Sequence, residues 1–264
     1  MFKIGDYVTR NSYNNDILFI IVDIVDNIAY LKGVDVRLYA DSDLDDLVQT
    51  SIDVKEKVNV NDRNEANKIK DLLNLDRNEY FYLPGKIVQI DSDDLYLKRC
   101  IDFYKELHLE AYGIRLDEDD FEKEVVTCLE KYKPDILVIT GHDSFKKNKN
   151  KNKIESYQNS LNFVKTILKA REYERNQDKL IIIAGACQSF YEDLIKAGAN
   201  FASSPKRINI HALDPAIIAS AVAFSPKNKE IDLISLLSKT HYGSDGMGGI
   251  ITNGVMYVGY PRWM

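Results

Sequence analysis

Two residues with reactive side chains follow apolar runs in the second half of the chain. Cys187 ends the run "KLIIIAGAC", and His142 ends the run "DILVITGH" 45 residues earlier. A thiolate is a strong nucleophile, and an imidazole exchanges protons near neutral pH, so the two side chains together can cleave an acyl bond. Gly185 and Ala186 leave room for a substrate beside the thiol. The pattern predicts covalent catalysis by a Cys-His dyad.

The surrounding sequence predicts the elements that position these residues. Over residues 85–264, short apolar runs alternate with helical patterns, which is typical of a mostly parallel sheet with helices on both faces. Such sheets bind ligands at the carboxyl ends of their strands, where Asp91, His142 and Cys187 each follow an apolar run. A helix predicted to begin near Ser189 would favour the Cys187 thiolate. We therefore expect a three-layer α/β/α domain here.

The first third of the chain has a different pattern. Residues 1–50 contain short β-branched and aromatic runs separated by turn-forming residues, which predicts a small SH3-like β-barrel. Barrels of this size usually bind peptides, so we expect this one to bind a protein partner. Residues 51–84 are charged and polar, with a helix predicted over residues 61–75, and they are interpreted as a helical linker.

Composition argues against several functional classes. The 264-residue chain has a formal net charge of −6, whereas nucleic-acid binding needs a basic surface. Its apolar runs are shorter than the ~20 residues of a membrane-spanning helix, and no export signal is visible at the start. Cys100, Cys128 and Cys187 have neither disulfide nor zinc-ligand spacing. The sequence thus predicts a cytoplasmic protein with no metal and no cofactor.

Longer segments resemble a known peptidase family. "FKIGDYVTRNSYNNDILFIIVDI", "ITGHDSF", "IIIAGACQSFYEDLIKAGANFASSPKRINIHALDP" and "SDGMGGIITNG" are similar to the YabG family of sporulation peptidases, over essentially the full length. The resemblance implies a caspase-like cysteine peptidase, made in the mother cell and later associated with the spore coat. It also implies cleavage of coat and cortex-associated proteins after arginine. "GACQS" resembles the caspase signature too, but Asp143 and Ser189 stand where caspases have glycine.

The resemblance also implies a mechanism. Cys187 would attack the scissile carbonyl, and His142 would protonate the leaving amine and then activate water. The backbone N–H groups of Cys187 and of Asp143 would form the oxyanion hole. Lys206 and Arg207 offer a candidate site of self-cleavage.

A substrate arginine needs a carboxylate, because a desolvated guanidinium must be paired. Asp91 is the first candidate for this pocket, although the same residue could instead cap the following helix. Asp93 and Asp214 are the alternatives. Ser203 and Ser204, after the next predicted strand, are candidates for contacts with the substrate backbone.

Two other interpretations stay open from the sequence. His211 and Asp214 could serve Cys187 in place of His142, as in amidotransferase-like thiol hydrolases. The chain could also be a non-enzymatic binding protein, a barrel joined to a receiver-like α/β domain with an inert cysteine. His108 and His241 are interpreted as structural.

Overall fold

The computed structural model describes residues 2–50, 54–70 and 79–261 of the chain. Within these ranges the chain forms an N-terminal antiparallel sheet, a central six-stranded sheet and a two-stranded sheet. Helices cover both faces of the central sheet. None of the helices in these ranges is long and apolar enough to cross a membrane.

The N-terminal sheet has the strand order β4-β3-β2-β1-β5. Its strands are β1 (Tyr7–Arg10), β2 (Phe19–Val25), β3 (Ile28–Gly33), β4 (Tyr39–Asp43) and β5 (Leu47–Gln49). Val8, Phe19, Ile21 and Leu31 are fully buried on one face. The short β-branched runs of the sequence form these strands because one face of each can be buried.

The predicted barrel does not close. The edge strands β4 and β5 do not pair with each other in the described part of the chain, so the sheet is open. A single turn at Leu44–Asp46 joins the two strands. All three residues of β5 pair with β1. The sequence pattern alone could not reveal that the two edge strands stay apart.

The central sheet has the order β12-β11-β10-β9-β7-β8. Its strands are β7 (Ile87–Asp91), β8 (Ala111–Arg115), β9 (Ile136–Thr140), β10 (Ile181–Ala184), β11 (Phe201–Ser203) and β12 (Met247–Gly249). All neighbouring strands are parallel except β12, which is antiparallel to β11. The prediction of a mostly parallel sheet is confirmed.

Helices form the two outer layers. On one face lie α1 (Val54–Lys70), α2 (Asp94–Glu106), α6 (Asp214–Phe224) and α7 (Leu233–Leu237). On the other lie α3 (Phe121–Tyr132), α4 (Ser160–Tyr173) and α5 (Tyr191–Lys196), while α8 (Gly243–Gly246) leads into β12. Successive strand residues point to opposite faces, so Ile183 packs in the first layer and Ile182 in the second.

The segment predicted as a linker contributes to the packed structure. Helix α1 begins at residue 54, before the predicted start, and residues 71–75 of the predicted helix lie outside the described residues. β6 (Phe81–Leu83) pairs with β13 (Tyr257–Gly259). The domain boundaries at residues 50 and 84 stay predictions.

Candidate active site

Cys187 lies in a tight loop that follows β10. Gly185 has a φ of 107° and Gln188 a φ of 60°, so the chain turns sharply on both sides of the cysteine. The Ser204 hydroxyl braces this loop, since it donates to the Ala186 carbonyl (3.1 Å) and accepts from the Gln188 N–H (3.0 Å). The loop therefore holds the thiol in a defined position at the carboxyl edge of the central sheet.

The Cys187 thiol is buried, and burial favours its protonated form. Its side chain is fully buried, and the Ile210 N–H donates to Sγ at 3.3 Å. Burial raises the pKa of the Cys187 thiol to about 12, although the Ile210 N–H and the Arg37 charge oppose this. The sequence predicted a thiolate favoured by a helix N-terminus, but α5 begins only after Phe190. Desolvation therefore outweighs any helix effect in this conformation.

His142 follows β9 and lies in a partly covered position. Its Nε2 is 3.2 Å from Asp93 Oδ2, and its Nδ1 is buried with no hydrogen-bond partner among the residues described. The imidazole packs edge-on against Tyr39, with 4.6 Å between ring centroids. Within the described ranges, no hydrogen bond joins this ring to the Cys187 thiol.

Asp93 fixes the orientation of the His142 ring. Its carboxylate also accepts from Lys32 Nζ at 2.5 Å and from the N–H groups of Leu95 and Tyr96 at the start of α2. Burial raises the pKa of Asp93, but the hydrogen bonds from His142 and Lys32 outweigh it and hold that pKa below its usual value. Asp93 is thus an ionised helix cap, the role that the sequence considered for Asp91.

Asp91 is fully buried at the end of β7. Its Oδ2 accepts from Arg37 Nη1 (2.7 Å), Thr140 Oγ1 (2.6 Å) and Gln89 Nε2 (3.2 Å). Asp91 Oδ1 accepts from the Asp93 N–H at 3.0 Å. The carboxylate that the sequence predicted to bind a substrate arginine therefore already binds a guanidinium of the same chain.

Arg37 is a residue that the sequence analysis missed. It follows β3 and is fully buried, and its Nη2 also donates to the Ala212 carbonyl at 3.2 Å. Burial lowers the pKa of Arg37, but the Asp91 charge and hydrogen bond, with the neighbouring Cys100 and Tyr96, together outweigh burial and raise it. An arginine inside the apolar run "GVDVRLYA" was the available signal, because a charge in such a run needs a buried partner.

Asp143 connects the two candidate catalytic loops. Its carboxylate accepts from the N–H groups of Ser144 and Asn159 (2.9 Å each), from the Ser189 hydroxyl (3.0 Å) and from the Ser160 hydroxyl. Burial raises the pKa of Asp143, although these hydrogen bonds lower it. Because Ser189 belongs to the Cys187 loop, the carboxylate holds that loop beside the His142 loop.

Ser203 and Ser204 are both fully buried. The Ser203 hydroxyl lies 3.6 Å from Met247 Sδ, and the Ser204 hydroxyl braces the Cys187 loop. Their side chains thus contact the protein interior, and substrate contact by either residue stays a prediction.

His211 and Asp214 bind backbone groups. His211 Nδ1 accepts from the Leu213 N–H (3.3 Å), and its ring stacks on His241. Asp214 accepts from the N–H groups of His211 (3.1 Å) and His241 (2.8 Å). Neither side chain forms a hydrogen bond with Cys187 in the part of the chain that is described. This geometry disfavours His211 as the partner of the thiol.

No group of three or more His, Cys, Asp or Glu side chains suited to a metal ion occurs in residues 2–50, 54–70 and 79–261. Two cavities border the site. The larger, about 870 Å³, is lined by Val36, His211 and Tyr242 among others, and the smaller, about 280 Å³, by Arg37 and His142 among others.

Comparisons with known proteins show that this chain is similar to peptidases. The sequence model of the family described as YabG peptidase U57 matches residues 3–261. The chain is 41% identical to the sporulation-specific protease YabG of Bacillus subtilis (strain 168), over 98% of each chain. No solved structure matches. A peptidase assignment excludes the non-enzymatic interpretation and favours peptide-bond hydrolysis over amidotransferase chemistry. Since the match spans nearly the whole chain, this protein belongs to the YabG peptidase U57 family.

Proposed function

We propose that this peptidase is a caspase-like cysteine endopeptidase that cuts after arginine, with Cys187 as nucleophile and His142 as general acid and base. The observation that carries the proposal is the pair formed by Asp91 and Arg37. It supports an arginine pocket at Asp91, because this fully buried carboxylate, which also binds Thr140 two residues before His142, has the geometry to bind a guanidinium.

The reaction would proceed in two steps. The Cys187 sulfur, losing its proton to His142, bonds to the scissile carbonyl carbon, and the C–N bond breaks as His142 protonates the leaving amine. His142 then takes a proton from water, whose oxygen attacks the thioester and releases the thiol. Asp93 supports this role because it binds Nε2 and leaves Nδ1 of His142 free for proton transfer.

Two backbone N–H groups support the proposed oxyanion hole. Among the described residues, the N–H groups of Cys187 and Asp143 have no hydrogen-bond acceptor. The Asp143 carboxylate is bound by four donors of the protein, so its charge is already compensated. Unpaired N–H groups next to the nucleophile can stabilise the charge that develops on the substrate carbonyl oxygen.

The pocket would prefer arginine to lysine. Asp91 accepts from one guanidinium nitrogen of Arg37, while the Ala212 carbonyl accepts from Nη2 (3.2 Å) and more weakly from Nε (3.4 Å). Only a planar guanidinium presents several donors in this fixed arrangement, whereas an ammonium is a single point charge.

The biological role is proposed from the family. The Bacillus subtilis relative is called a sporulation-specific protease. We propose that this chain acts during sporulation in the mother cell, cuts proteins of the spore coat and cortex after arginine, and later associates with the coat. Binding of a protein partner by the N-terminal sheet and self-cleavage at Lys206 or Arg207 are part of the same proposal.

A fluorogenic peptide library tests this function. We expect the purified protein to cleave after arginine at least tenfold faster than after lysine. Cys187→Ala and His142→Ala should lower kcat/KM by about 1000-fold or more, while His211→Ala should leave most of the activity. Cleavage that persists in Cys187→Ala, or that ignores the charge of the residue before the bond, would contradict the proposal.

Three variants then identify the pocket carboxylate. Asp91→Asn should lower kcat/KM for arginyl peptides by about 100-fold, with little effect on the residual cleavage of neutral peptides. Asp93→Asn should change the pH profile through His142, and Asp214→Asn should leave the arginine preference unchanged. If Asp91→Asn keeps the arginine preference and Asp93→Asn or Asp214→Asn loses it, the pocket carboxylate is the one whose loss removes the preference, and not Asp91.

A further inference from the structure

Residues 34–38, which we call the 34–38 loop, lie across the candidate active site. The Ala212 N–H donates to the Asp35 carbonyl (2.9 Å), and the Arg37 N–H donates to the Ile210 carbonyl (3.4 Å). Val36 and His211 form an antiparallel β-bridge. The loop thus pairs with the chain beside Cys187 as an added peptide strand does.

The side chain of Arg37 occupies the pocket at Asp91. Its guanidinium is fully buried between the Asp91 carboxylate and the Ala212 carbonyl, and it lies 4.9 Å from the centre of the Tyr96 ring. The Arg37 N–H bonds to the carbonyl of Ile210, the residue whose own N–H donates to Cys187 Sγ at 3.3 Å. One residue of the loop therefore binds the pocket carboxylate and pairs with the residue that contacts the nucleophile.

The strands that flank the 34–38 loop, β3 and β4, cover His142. The Tyr39 ring packs on the imidazole, and Lys32, at the end of β3, binds the Asp93 carboxylate. Val36 lines the larger cavity, whereas Arg37 and Leu38 line the smaller one. The 34–38 loop thus lies between two cavities, and His142 lines the smaller one.

The loop is bent at Arg37. The Leu38 N–H donates to the Val36 carbonyl (2.9 Å), and the Gly33 N–H donates to the Leu38 carbonyl (2.7 Å). The Tyr96 hydroxyl also donates to the Val36 carbonyl (2.8 Å). Attack requires an aligned carbonyl, so this tight turn would hold the bond after Arg37 out of line.

We propose that the 34–38 loop is a built-in inhibitor that occupies the substrate groove with Arg37 in the arginine pocket. The peptidase is latent in this form, and an extended peptide that carries arginine must displace the loop. This inference rests on the proposed function, since it takes Asp91 as the pocket and Cys187 as the nucleophile. A tethered occupant acts at high effective concentration, so the loop should raise the KM for arginyl peptides.

Arg99 anchors the loop from outside the pocket. Its guanidinium donates to the Val34 carbonyl (2.9 Å) and to Asp35 Oδ1 (3.1 Å), and it binds Asp62 on α1. Loss of this side chain loosens the loop without touching Asp91. Arg171 is a matched control, because it binds the carbonyls of Gly198 and Leu180 far from the loop in sequence.

The test compares kcat and KM for a fluorogenic arginyl peptide in the full-length parent, Arg37→Ala, Arg99→Ala and Arg171→Ala. We expect Arg37→Ala to raise kcat/KM about tenfold or more, mainly by a lower KM, and Arg99→Ala to raise it by a smaller factor. Arg171→Ala should give no increase. The rate of Cys187 alkylation by iodoacetamide, read by peptide mass, should rise in the same order.

The outcomes separate this inference from the proposed function. Folded Arg37→Ala and Arg99→Ala proteins with Cys187-dependent cleavage no faster than the parent would overturn the inference and leave the function standing. If Arg37→Ala does not fold, Arg99→Ala decides by the same two readouts. If neither the parent nor any folded variant cleaves the peptide, and an arginyl chloromethyl ketone labels Cys187 no faster than a leucyl one, the proposed function fails and the inference fails with it.

Discussion

Buried carboxylates at the site each have their own donors. Asp91 binds Arg37, Asp93 binds Lys32, and Asp143 is bound by hydroxyl and N–H groups. An unpaired charge in the interior is destabilising, so each of these partners stabilises the site. The chemistry of the site therefore cannot be separated from its stability.

Asp214 and His211 are a second buried pair of titrating residues, and they change the stability of the protein with pH in opposite directions. Burial raises the pKa of Asp214 to about 7 and lowers that of His211 to about 3. The contribution of Asp214 to the free energy of unfolding is present below its ordinary pKa and is lost as the pH rises to about 7. The contribution of His211 is present above its ordinary pKa and is lost as the pH falls towards 3.

The difference can be measured by replacing each residue. Asp214→Asn should destabilise the protein most near pH 4.5 and least near pH 7.5, with a change of a few kcal/mol between them. His211→Gln should show the reverse trend. Urea unfolding followed by far-UV circular dichroism at several pH values gives both trends, and the same slope in the two variants would contradict the assignment.

At the scale of elements, the loops after β9 and β10 carry the site. Asp143 and Ser189 connect these loops, and Gly185 lets the second loop turn directly after its strand. Parallel strands place both loops at the same edge of the sheet. The position of Cys187 therefore depends on backbone geometry as much as on side-chain contacts.

Gly185→Ala should displace the Cys187 loop. Gly185 has a φ of 107°, and an added Cβ would lie 2.9 Å from Leu194 Cδ1 and 3.2 Å from Ser203 Cβ. We expect a loss of about 1–2 kcal/mol from the left-handed backbone, a further loss from crowding, and about 100-fold lower activity. Urea unfolding and the peptide assay measure the two effects.

Gly5→Ala is the control for that substitution. Gly5 also has a left-handed φ, of 92°, but an added Cβ would have no atom within 4 Å. Gly5→Ala should therefore lose a similar amount of stability from the left-handed backbone, while its activity stays unchanged. Equal loss of activity in both variants would mean that general destabilisation, and not the Cys187 loop, determines the result.

At the scale of the whole molecule, the N-terminal sheet packs against the carboxyl ends of the strands of the central sheet. Two buried ion pairs cross between them, from Arg37 to Asp91 and from Lys32 to Asp93. The Tyr96 hydroxyl on α2 lies within hydrogen-bond distance of the carbonyls of Gly33 and Val36 and shares its one proton between them. The two sheets share these buried contacts, so we expect them to unfold in one transition.

Tyr96→Phe should uncouple the two sheets. The buried hydrogen bond from this hydroxyl would be lost, with a loss of about 1–3 kcal/mol that falls mainly on the N-terminal sheet. Hydrogen exchange read by mass spectrometry should then show β2 and β3 opening at a lower urea concentration than β7 and β9. In the parent protein, all four strands should open at the same urea concentration. Tyr104→Phe, which breaks a buried bond to Gln89 within one domain, should not separate the transitions.

The sequence by itself determined the central layers and the candidate residues. Apolar runs and helical periodicity are local in the chain, so they predicted the parallel sheet, its covering helices and the reactive residues at strand ends. They wrongly predicted that the N-terminal strands close into a barrel, because closure depends on which strand edges meet. The helix predicted to begin near Ser189 is α5, which begins at Tyr191.

Only the tertiary structure decided what surrounds the reactive groups. Arg37 and Asp91 are far apart in the chain, and their pairing follows from packing one sheet against the edge of another. The same packing buries the Cys187 thiol and raises its pKa, which reverses the expectation drawn from the helix that follows it. Desolvation and long-range charge pairing depend on every element that surrounds a group, so no local pattern could reveal them.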